Sequence, residues 1–525
     1  MDKDKWNQIL LLGAATLGFI SLLHYRKTRH EPRRITRRTT SQVRQIERLE
    51  KILNEQKAIE NDAAKGVRAP KMLPPPEGKV FLNPLLGTGV KQDINSGRAF
   101  LPESVFNKVG GYLVADNAFS EESCPIAGSI LLLKGSPRME IIMNPKNVKA
   151  AIVTCGGLCP GLNVVIREIV MSLYYNYDTT EIYGIWNGYQ GFYTEGCIKK
   201  LTPHDVVDIH TLGGTILKSS RGGWNLEKIA DSIEEHGFNQ IYIIGGDGTH
   251  RGINAMVEEM ERRNLSVFIA GIPKTIDNDI PIIDKSFGFD TSVEEAQRAI
   301  DSANIEANSA EYGVGLVKLM GRNSGFIAMQ ASIANRNVNV CLIPESEYEL
   351  SGPNGVYNYI LERLKIKKHA VVVVAEGAAV SCKDEKLVMP GTDASGNPIL
   401  YDIGKHLRDG IVKYCKERDM NITLKYIDPT YMIRTVPANS GDKVLCATLA
   451  QAAVHGTFAG FTGFSVGCVG GAACFIPIDL MISTREGKNS LPGQRRVDLE
   501  GNYMWWRLMA STGQPSFINE VSLAN

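Results

Sequence analysis

The stretch Gly245-Gly246-Asp247-Gly248-Thr249 directly follows the apolar run Ile241-Tyr242-Ile243-Ile244. The run is short and rich in β-branched residues, which predicts a buried parallel strand. The glycines let the backbone come close to a polyphosphate. In open α/β sheets, ligands bind at the loops that follow the carboxyl ends of the strands. The stretch therefore predicts an α/β fold with a phosphate-binding loop at the end of this strand.

A second loop follows the next apolar run, 267–272, and reads Pro273-Lys274-Thr275-Ile276-Asp277-Asn278-Asp279. We expect this loop to be extended, so that Asp277 and Asp279 point to the same side. One carboxylate would then serve as a general base while the other orients or tunes it. In the first loop, Asp247 is the only acidic side chain and would hold a Mg²⁺ ion that bridges phosphate oxygens. The two loops together predict a site for phosphoryl transfer.

Three segments recur in this order in 6-phosphofructokinases: the two loops and Met320-Gly-Arg-Asn-Ser-Gly325. Over residues 145–515 the chain resembles that family. Two further segments, Cys155-Gly-Gly-Leu-Cys-Pro-Gly-Leu-Asn163 and Lys425-Tyr-Ile-Asp-Pro-Thr-Tyr-Met-Ile-Arg434, are similar to its plant and protist ATP-dependent branch, which is related to pyrophosphate-dependent enzymes.

The resemblance implies transfer of the γ-phosphoryl group of Mg-ATP to the 1-hydroxyl of fructose 6-phosphate, giving fructose 1,6-bisphosphate and ADP. A pyrophosphate-dependent phosphofructotransferase and a catalytically silent regulatory subunit are the alternatives. A diacylglycerol or NAD kinase also uses a Gly-Gly-Asp-Gly loop but would not carry the second loop. A silent subunit would be expected to have lost Asp247, Asp277 or Arg322, and all three are present.

The resemblance also implies a role for each matching residue. Asp277 would be the catalytic base, aided by Thr275 at the reacting hydroxyl and by Arg322, which would stabilise the transferring group. The nucleotide would be held by Gly156, Arg221, Gly246, Asp247, Gly248 and Thr249. The sugar phosphate would be held by Thr275, Ile276, Asp277, Met320, Gly321, Arg322, Glu376, Lys425, Tyr431 and Arg434, with Lys425 and Arg434 on the 6-phosphate.

The choice of phosphoryl donor is expected to depend on two positions. Gly248 leaves room for a nucleotide, whereas pyrophosphate-dependent members resemble one another in an aspartate there. Lys274 is typical of pyrophosphate-dependent members, but lysine repels nothing anionic, while an aspartate at 248 would repel the α-phosphate. The glycine therefore favours ATP. Gly313 stands where many relatives have an arginine that reaches a neighbouring subunit, which changes the expected interface.

Composition sets the frame for these predictions. A chain of 525 residues with 43% hydrophobic content can bury two or three cores, and a net charge of +1 does not indicate a nucleic-acid partner. The ten cysteines lack paired metal-binding spacing and fit a reducing compartment. We expect a homo-oligomer, either a dimer or a tetramer, with allosteric regulation.

The amino-terminal region has a different character. Ile9–Leu23 is free of charge, and seven basic residues follow it between positions 26 and 38. That order favours a transmembrane helix that acts as a signal anchor and leaves the enzyme facing the cytosol. A buried helix and a cleaved plastid or mitochondrial presequence are alternatives, and the basic cluster could bind anionic lipid. From Ser41 to about residue 64, Val43, Ile46, Leu49 and Leu53 form an amphipathic stripe.

The chain is thus predicted to contain four regions. Residues 1–65 hold the apolar segment, basic cluster and amphipathic helix, and residues 66–148 form a linker and extension. Residues 149–515 form a catalytic core of two interleaved α/β lobes, and residues 516–525 are a tail. Strands at 148–154, 313–318, 338–343 and 370–375, with helices from about 162 and at 292–309 and 325–334, predict that each lobe is doubly wound, with the sugar bound between the lobes. The Gly-rich stretch 456–471 is expected to be a tightly packed turn and strand region.

Overall fold

A computed structural model of the chain describes residues 44–45, 47–52, 54, 57, 67–85, 92–93, 98–99, 112–114, 130–385, 387–392, 398–482 and 494–518. The apolar run Ile9–Leu23 and the basic cluster after it lie outside this part, so the predicted anchor is not among the described residues. Within the described part, none of the helices combines the length and the apolar character that a membrane span requires.

Twenty-two strands are numbered along the described chain. They are β1 (Val67–Arg68), β2 (Lys71–Met72), β3 (Phe81–Leu82), β4 (Gln92–Asp93), β5 (Arg98–Ala99), β6 (Tyr112–Val114), β7 (Leu131–Lys134), β8 (Glu140–Ile141), β9 (Lys149–Thr154), β10 (Glu181–Ile185), β11 (Ile198–Lys200), β12 (Gln240–Gly245), β13 (Phe268–Pro273), β14 (Gly313–Leu319), β15 (Val340–Leu342), β16 (His369–Ala375), β17 (Val388–Thr392), β18 (Pro398–Leu400), β19 (Thr423–Ile427), β20 (Phe461–Thr462), β21 (Phe464–Val469) and β22 (Ala472–Pro477).

Twelve α-helices are numbered in the same way from residue 162 onward. They are α1 (Leu162–Met171), α2 (Pro203–Val206), α3 (Leu226–His236), α4 (Asp247–Arg262), α5 (Phe289–Asn308), α6 (Phe326–Asn335), α7 (Val356–Lys367), α8 (Ile403–Lys416), α9 (Met432–Thr435), α10 (Ser440–Phe458), α11 (Ile478–Ile482) and α12 (Tyr503–Thr512). Each strand or helix predicted between residues 148 and 375 is present, with ends shifted by at most three residues.

The larger lobe is built on a ten-stranded sheet in the order β1-β7-β22-β21-β13-β12-β9-β10-β11, with β6 paired to β7. Alternate residues of β12 enter different hydrophobic cores: Ile241 and Ile243 lie in one, and Tyr242 and Ile244 in the other. Because side chains alternate along a strand, this pattern means that both faces of the sheet are covered. The centre of the sheet, from β21 through β13, β12 and β9 to β10, is parallel.

The prediction of two doubly wound lobes is only partly confirmed, because the sheet of the larger lobe is mixed. Strands β11, β22, β7 and β6 join it by antiparallel pairs. At one of these pairs, Gly470 and Gly471, with φ of 57° and 77°, turn the chain directly from β21 into β22. Left-handed conformations at both central residues are typical of a tight hairpin, which ends the parallel order at this point.

The smaller lobe carries a four-stranded sheet in the order β15-β16-β14-β19, in which every pair is parallel. From Ala370 to Ala375 no side chain of β16 is exposed to solvent. Val372 and Val374 pack into a core of this lobe, and Val371 and Val373 pack into the core shared with the larger lobe. Burial of one such valine contributes roughly 1.5–3 kcal/mol, which explains a continuous apolar run without alternation.

The region before the core packs on it. Helical residues occur between 44 and 57, where Ile52 is buried and Leu49 packs against the main core. The Gln45 side chain exchanges hydrogen bonds with the Val80 backbone. Strand β7 from the predicted extension pairs with β22 of the large sheet. The extension therefore completes the sheet of the larger lobe.

The Gly-rich stretch is confirmed as a packed region, since Phe458, Phe461 and Phe464 are all buried. Tight packing follows from the glycines: a Cβ on Gly456 would lie 2.4 Å from the ring of Phe464. These phenylalanines belong to the core that supports β13 and β21.

Candidate active site

The candidate site lies where the carboxyl ends of the parallel strands of both lobes face each other. From the larger lobe come the segments after β9, β12 and β13, which carry Gly156, Asp247 and Asp277. From the smaller lobe come the segments after β14 and β16, which carry Arg322 and Glu376. The two lobes are in contact here, because Oγ of Ser324 in the segment after β14 donates a 3.1 Å hydrogen bond to the carbonyl of Asp277.

The first loop is the start of a helix. Helix α4 begins at Asp247, with Gly246 as its N-cap, so the segment 246–249 presents helix-start backbone amides. His250 fixes this start: its Nδ1 lies 3.0 Å from the carbonyl oxygen of Gly246 and its Nε2 lies 3.0 Å from Oγ of Ser465. Burial lowers the pKa of His250, which keeps the imidazole neutral. A helix N-terminus favours anions, so this segment suits a phosphate.

Space around the first loop differs between its glycines. A Cβ placed on Gly248 would meet no atom of the described residues within 4 Å, whereas one on Gly245 would lie 2.4 Å from Oγ1 of Thr249. Asp247 is exposed beside this open space. The open position is the one predicted to admit a nucleotide.

The second loop is a turn, so the predicted extended conformation is wrong. Asn278 has φ 54°, in the left-handed region, and its Oδ1 accepts a 3.1 Å hydrogen bond from the backbone N–H of Ser286. Asparagine adopts this conformation more readily than most residues. The turn still keeps Asp277 and Asp279 close enough for the charge of Asp279 to raise the pKa of Asp277.

Asp277 is the most perturbed acid of the site. Its Oδ1 is buried and has no hydrogen-bond partner within the described residues. Burial raises the pKa of the Asp277 carboxyl well above its ordinary value, and the negative charges of Asp279 and Glu376 raise it further. Lys274 and Arg322 act in the opposite direction. An unsatisfied buried carboxylate oxygen is costly in a resting protein, so this geometry favours a group that enters with the substrate.

Lys274 closes the side of the site next to β9. Its side chain is 7% exposed, and its Nζ lies 3.6 Å from where a Cβ on Gly156 would be. Burial lowers the pKa of Lys274. Arg221 lies nearby, with Nη2 3.7 Å from the Cβ position of Gly157. The turn after β9 is therefore lined by cationic groups, as the predicted nucleotide contacts require.

In the smaller lobe, Met320, Gly321 and Arg322 follow β14. The backbone N–H of Gly377 donates a 3.0 Å hydrogen bond to the carbonyl of Gly321, which holds this turn against the residue after Glu376. Burial raises the pKa of Glu376, while Arg322 is the largest influence that lowers it. The predicted group Met320, Gly321, Arg322 and Glu376 is thus brought together.

Arg434 reaches the same place from α9. Its Nη1 lies 3.7 Å from the Cβ position of Gly157, in the larger lobe. Its Nε is buried without a hydrogen-bond partner in the described chain. The exposed ring of Tyr431 lies beside it, with its centroid 5.0 Å from Cζ of Arg434. Ile276, within the second loop, is buried at 5% exposure.

Lys425 lies elsewhere. It sits within β19, opposite Gly315 of β14, and its Nζ is 3.6 Å from Oε2 of Glu306 on α5. A Cβ on Gly315 would touch Ala303 of α5, so this face of the sheet is turned toward that helix. The structure therefore does not bring Lys425 to Arg434, as the shared grip on one phosphate would require. The resemblance implied a phosphate contact for Lys425, but the alternation of side chains along β19 places this residue on the face that is turned toward α5.

Gln494 and Arg495 were not found by sequence reasoning. Nε2 of Gln494 donates a 3.1 Å hydrogen bond to Oδ2 of Asp247, and its Oε1 accepts a 2.6 Å hydrogen bond from Nδ2 of Asn323. The backbone N–H of Arg495 donates to the carbonyl of Asp279 at 2.6 Å. These residues connect both lobes across the site, and nothing in their sequence pattern indicates it.

The acidic groups fit a Mg²⁺ ion that arrives with a polyphosphate. Within the described residues, no three His, Cys, Asp or Glu side chains are grouped as a protein-only metal cage. Magnesium usually takes only one or two protein carboxylates and fills the other positions with phosphate oxygens and water. Asp247 is exposed at the start of α4, and its charge reaches Asp279. This donor set matches the predicted metal role of Asp247.

Comparison with known proteins agrees with this architecture. The Phosphofructokinase family model matches residues 149–457. "ATP-dependent 6-phosphofructokinase 1" of Arabidopsis thaliana is 52% identical over 390 residues, which are 74% of this chain and 80% of that protein. "ATP-dependent 6-phosphofructokinase 4, chloroplastic" of the same plant is 48% identical over 454 residues, covering 83% of this chain and 84% of that one.

Among solved structures, the pyrophosphate-dependent phosphofructokinase from Marinobacter aquaeolei matches with a TM-score of 0.55 at 15% identity, covering 70% of this chain and 91% of that one. At this identity the match shows the fold alone. Together with the family match over residues 149–457, these findings show that the chain belongs to the phosphofructokinase family.

Proposed function

We propose that this protein is an ATP-dependent 6-phosphofructokinase. It transfers the γ-phosphoryl group of ATP to the 1-hydroxyl of fructose 6-phosphate and so contributes to glycolysis. The relatives at about 50% identity named as ATP-dependent 6-phosphofructokinases support the activity. The observation that carries it is the Asp277 carboxyl, whose Oδ1 is buried between the two lobes and has no hydrogen-bond partner among the described residues.

In this proposal Asp277 takes the proton of the 1-hydroxyl as that oxygen attacks the γ-phosphorus. The raised pKa brings the carboxyl closer to the operating pH, which strengthens a general base. Thr275 accepts a 3.1 Å hydrogen bond from the backbone N–H of Asp277 and so fixes the base relative to the hydroxyl.

Positive charge provides the rest of the catalysis. A phosphoryl transition state spreads negative charge over the equatorial oxygens, so fixed cations lower its energy. Arg322 approaches from the smaller lobe and Lys274 from the larger, and both act on Asp277. Mg²⁺ held through Asp247 supplies further charge neutralisation when bound.

The sugar phosphate is proposed to lie against the smaller lobe. Arg434 offers a cationic fork whose Nε has no hydrogen-bond partner in the part of the chain that the structure describes, and this suits a phosphate. Glu376 accepts hydrogen bonds from sugar hydroxyls, with Met320, Gly321 and Ile276 shaping the pocket. Tyr431 supports the guanidinium of Arg434 by its ring. For Lys425, the contact with Glu306 argues against a phosphate contact within its own chain.

ATP is the proposed donor because the position of Gly248 is open. The segment Gly246 to Thr249, with Gly156 and Arg221, holds the nucleotide. Lys274 is buried and cationic, which suits a donor phosphate of either kind, so it favours pyrophosphate only weakly.

The proposal also covers the regions of the chain, the oligomeric state and the cellular location. Residues 149–515 act as the catalytic core, 66–148 as an extension that completes the large sheet, 1–65 as an amino-terminal region and 516–525 as a tail. The enzyme acts as a homo-oligomer in the cytoplasm, with a plastid as the alternative that a chloroplastic relative supports. Mass measurement in solution and microscopy of a fluorescent fusion test these points.

The proposal is tested with the purified full-length chain, fructose 6-phosphate and Mg²⁺, with ATP or pyrophosphate as donor. The product is identified as fructose 1,6-bisphosphate by cleavage with aldolase. Activity with ATP alone is expected. Activity with pyrophosphate instead would mean that Lys274 determines the donor, and no activity with either would indicate a silent subunit.

A further inference from the structure

Trp224 is a large aromatic residue near the site that has no role in the function proposed above. Its side chain is 42% exposed, and it follows Arg221 by three residues. Its ring lies edge-to-face against Tyr189, with the centroids 4.9 Å apart and the planes at 70°. The hydroxyl of Tyr189 donates a 3.0 Å hydrogen bond to the carbonyl of Thr249. Through Tyr189, the indole is therefore fixed relative to the first turn of α4.

The indole of Trp224 and the open position at Gly248 in the first loop lie along the same helix, α4. Gly248 and Gly252 are four residues apart, so they lie on one face of the helix about 6 Å apart along its axis. A Cβ on Gly252 would come within 2.8 Å of Cζ3 and 3.1 Å of Cη2 of Trp224. A Cβ on Gly248 would have no described atom within 4 Å. One face of α4 thus offers open space at its first turn and an exposed indole one turn further on.

We propose that the indole of Trp224 stacks on the base of the donor nucleotide. The inference rests on the proposed function, since it places the donor phosphates at the start of α4. The base lies beyond the α-phosphate by the length of a ribose, which matches one helical turn. An indole gains more from stacking on the larger purine than on a pyrimidine, because more ring area is buried. Pyrophosphate has no base, so the contact favours a purine nucleotide donor.

This role also explains the glycine at 252. Any side chain there would push the indole outward, since the nearest contact of its Cβ would be 2.8 Å. The absence of a side chain at Gly252 therefore lets the indole lie against the helix. The edge-to-face contact with Tyr189 holds the indole in that position. Stacking on a ring that is already fixed loses little conformational entropy.

The test measures binding of ADP, CDP and pyrophosphate to the full-length chain without fructose 6-phosphate, and separately the steady-state constants for ATP. Base stacking on an aromatic side chain contributes about 1–3 kcal/mol, so Trp224→Ala is expected to raise the KM for ATP roughly 5- to 150-fold with little change in kcat. Trp224→Phe is expected to retain most of the affinity. ADP should quench the tryptophan fluorescence of the wild type and of Trp506→Ala, whose indole is also exposed, but not of Trp224→Phe.

The readouts separate the two claims. Unchanged ADP affinity and an unchanged KM for ATP in Trp224→Ala, or equal quenching in Trp224→Phe and wild type, would overturn the stacking role. Equal losses of ADP and pyrophosphate affinity in Trp224→Ala would also overturn it, since only the nucleotide has a base. If ADP binds and quenches through Trp224 while fructose 6-phosphate is not phosphorylated, the proposed function fails and the nucleotide site stands.

Discussion

Oγ1 of Thr275 donates a 3.2 Å hydrogen bond to Oδ1 of Asp279, although the second loop places the two residues four positions apart. The same hydroxyl oxygen accepts from the backbone N–H of Asp277 at 3.1 Å. Asp279 is thus held by a protein donor, while Oδ1 of Asp277 has none in the described chain. The two carboxylates therefore differ in role: Asp279 is fixed by a hydrogen bond, and Asp277 is free to accept a proton.

The first prediction concerns pH. Burial, together with the charge of Asp247, raises the pKa of Asp279 from 3.8 to about 6, and the charge of Asp279 raises that of Asp277. Asp279→Asn removes this charge, so the acidic limb of the profile of kcat/KM against pH should move to lower pH. The substrate phosphate titrates equally in both enzymes and cancels in the comparison. Asp301→Asn, at an exposed carboxylate of α5, should leave the limb unmoved.

The raised pKa of Asp279 also makes the stability of the fold depend on pH. The folded state holds a proton on Asp279 that the unfolded state releases between pH 3.8 and about 6. The contribution of this group to the free energy of unfolding therefore falls as the pH rises through that window. Chemical denaturation at pH 4 and pH 6.5 should show a smaller loss of stability in Asp279→Asn than in wild type. An equal loss in both would contradict the assigned environment.

The second prediction concerns the donor. Gly248→Asp places a negative charge in the open space beside the donor phosphates, so the KM for ATP should rise by tenfold or more, since a like charge near a phosphate costs several kcal/mol in an interface. Gly248→Ala adds only a methyl group to the same space and serves as the matched control. ATP kinetics that are equal in Gly248→Asp and Gly248→Ala would show that charge at this position does not govern the donor.

The third prediction concerns Gln494, which joins Asp247 to Asn323. Gln494→Ala frees the Asp247 carboxylate, so the concentration of Mg-ATP at half-saturation should rise about 2- to 10-fold, the range for loss of one exposed hydrogen bond of about 0.5–1.5 kcal/mol. Asn323→Ala should have a similar effect, and the double variant should be no worse than either single one. Additive effects of the two substitutions on half-saturation by Mg-ATP would mean that Gln494 and Asn323 act separately. A lowered melting temperature with unchanged half-saturation would mean that the bridge is purely structural.

The fourth prediction compares two cations of one motif. Arg434→Ala should raise the KM for fructose 6-phosphate roughly 10- to 150-fold, since a hydrogen bond to a charged group contributes about 1.5–3 kcal/mol. Lys425→Ala breaks an exposed ion pair with Glu306, and such pairs contribute at most about 1 kcal/mol, so a smaller change is expected. An equal rise of the KM for fructose 6-phosphate in both variants would contradict this expectation. It would show that Lys425 contacts the substrate phosphate in the site of a neighbouring chain.

Much of this fold could be predicted because the apolar runs of β12, β13 and β16 are continuous and end in glycine, proline or charged residues. Such runs identify buried parallel strands and therefore the edge where a site forms. The antiparallel additions could not be predicted, since β6 and β7 are short and β7 pairs with β22, more than 300 residues along the chain.

For the candidate site, residue types at strand ends were predictable, and conformations were not. Asp277 and Asp279 could be placed in one loop, but the left-handed Asn278 that turns this loop depends on the bond to Ser286. Lys425 shows the same limit, because one residue of register decides which face of β19 it occupies. Gln494 contacts Asp247 across 247 positions, which no local pattern reveals.

The most direct test of the central claim is the single-turnover rate of phosphoryl transfer from ATP to fructose 6-phosphate by wild type and by Asp277→Asn. The substitution keeps the shape of the side chain and removes the base, so the rate should fall by about a hundredfold or more while fructose 6-phosphate and ATP still bind. Asp284→Asn, at an exposed carboxylate next to the β21–β22 turn, should react at the wild-type rate. A rate in Asp277→Asn within a few-fold of wild type would contradict the assignment of Asp277 as the base and, with it, the mechanism proposed for this site.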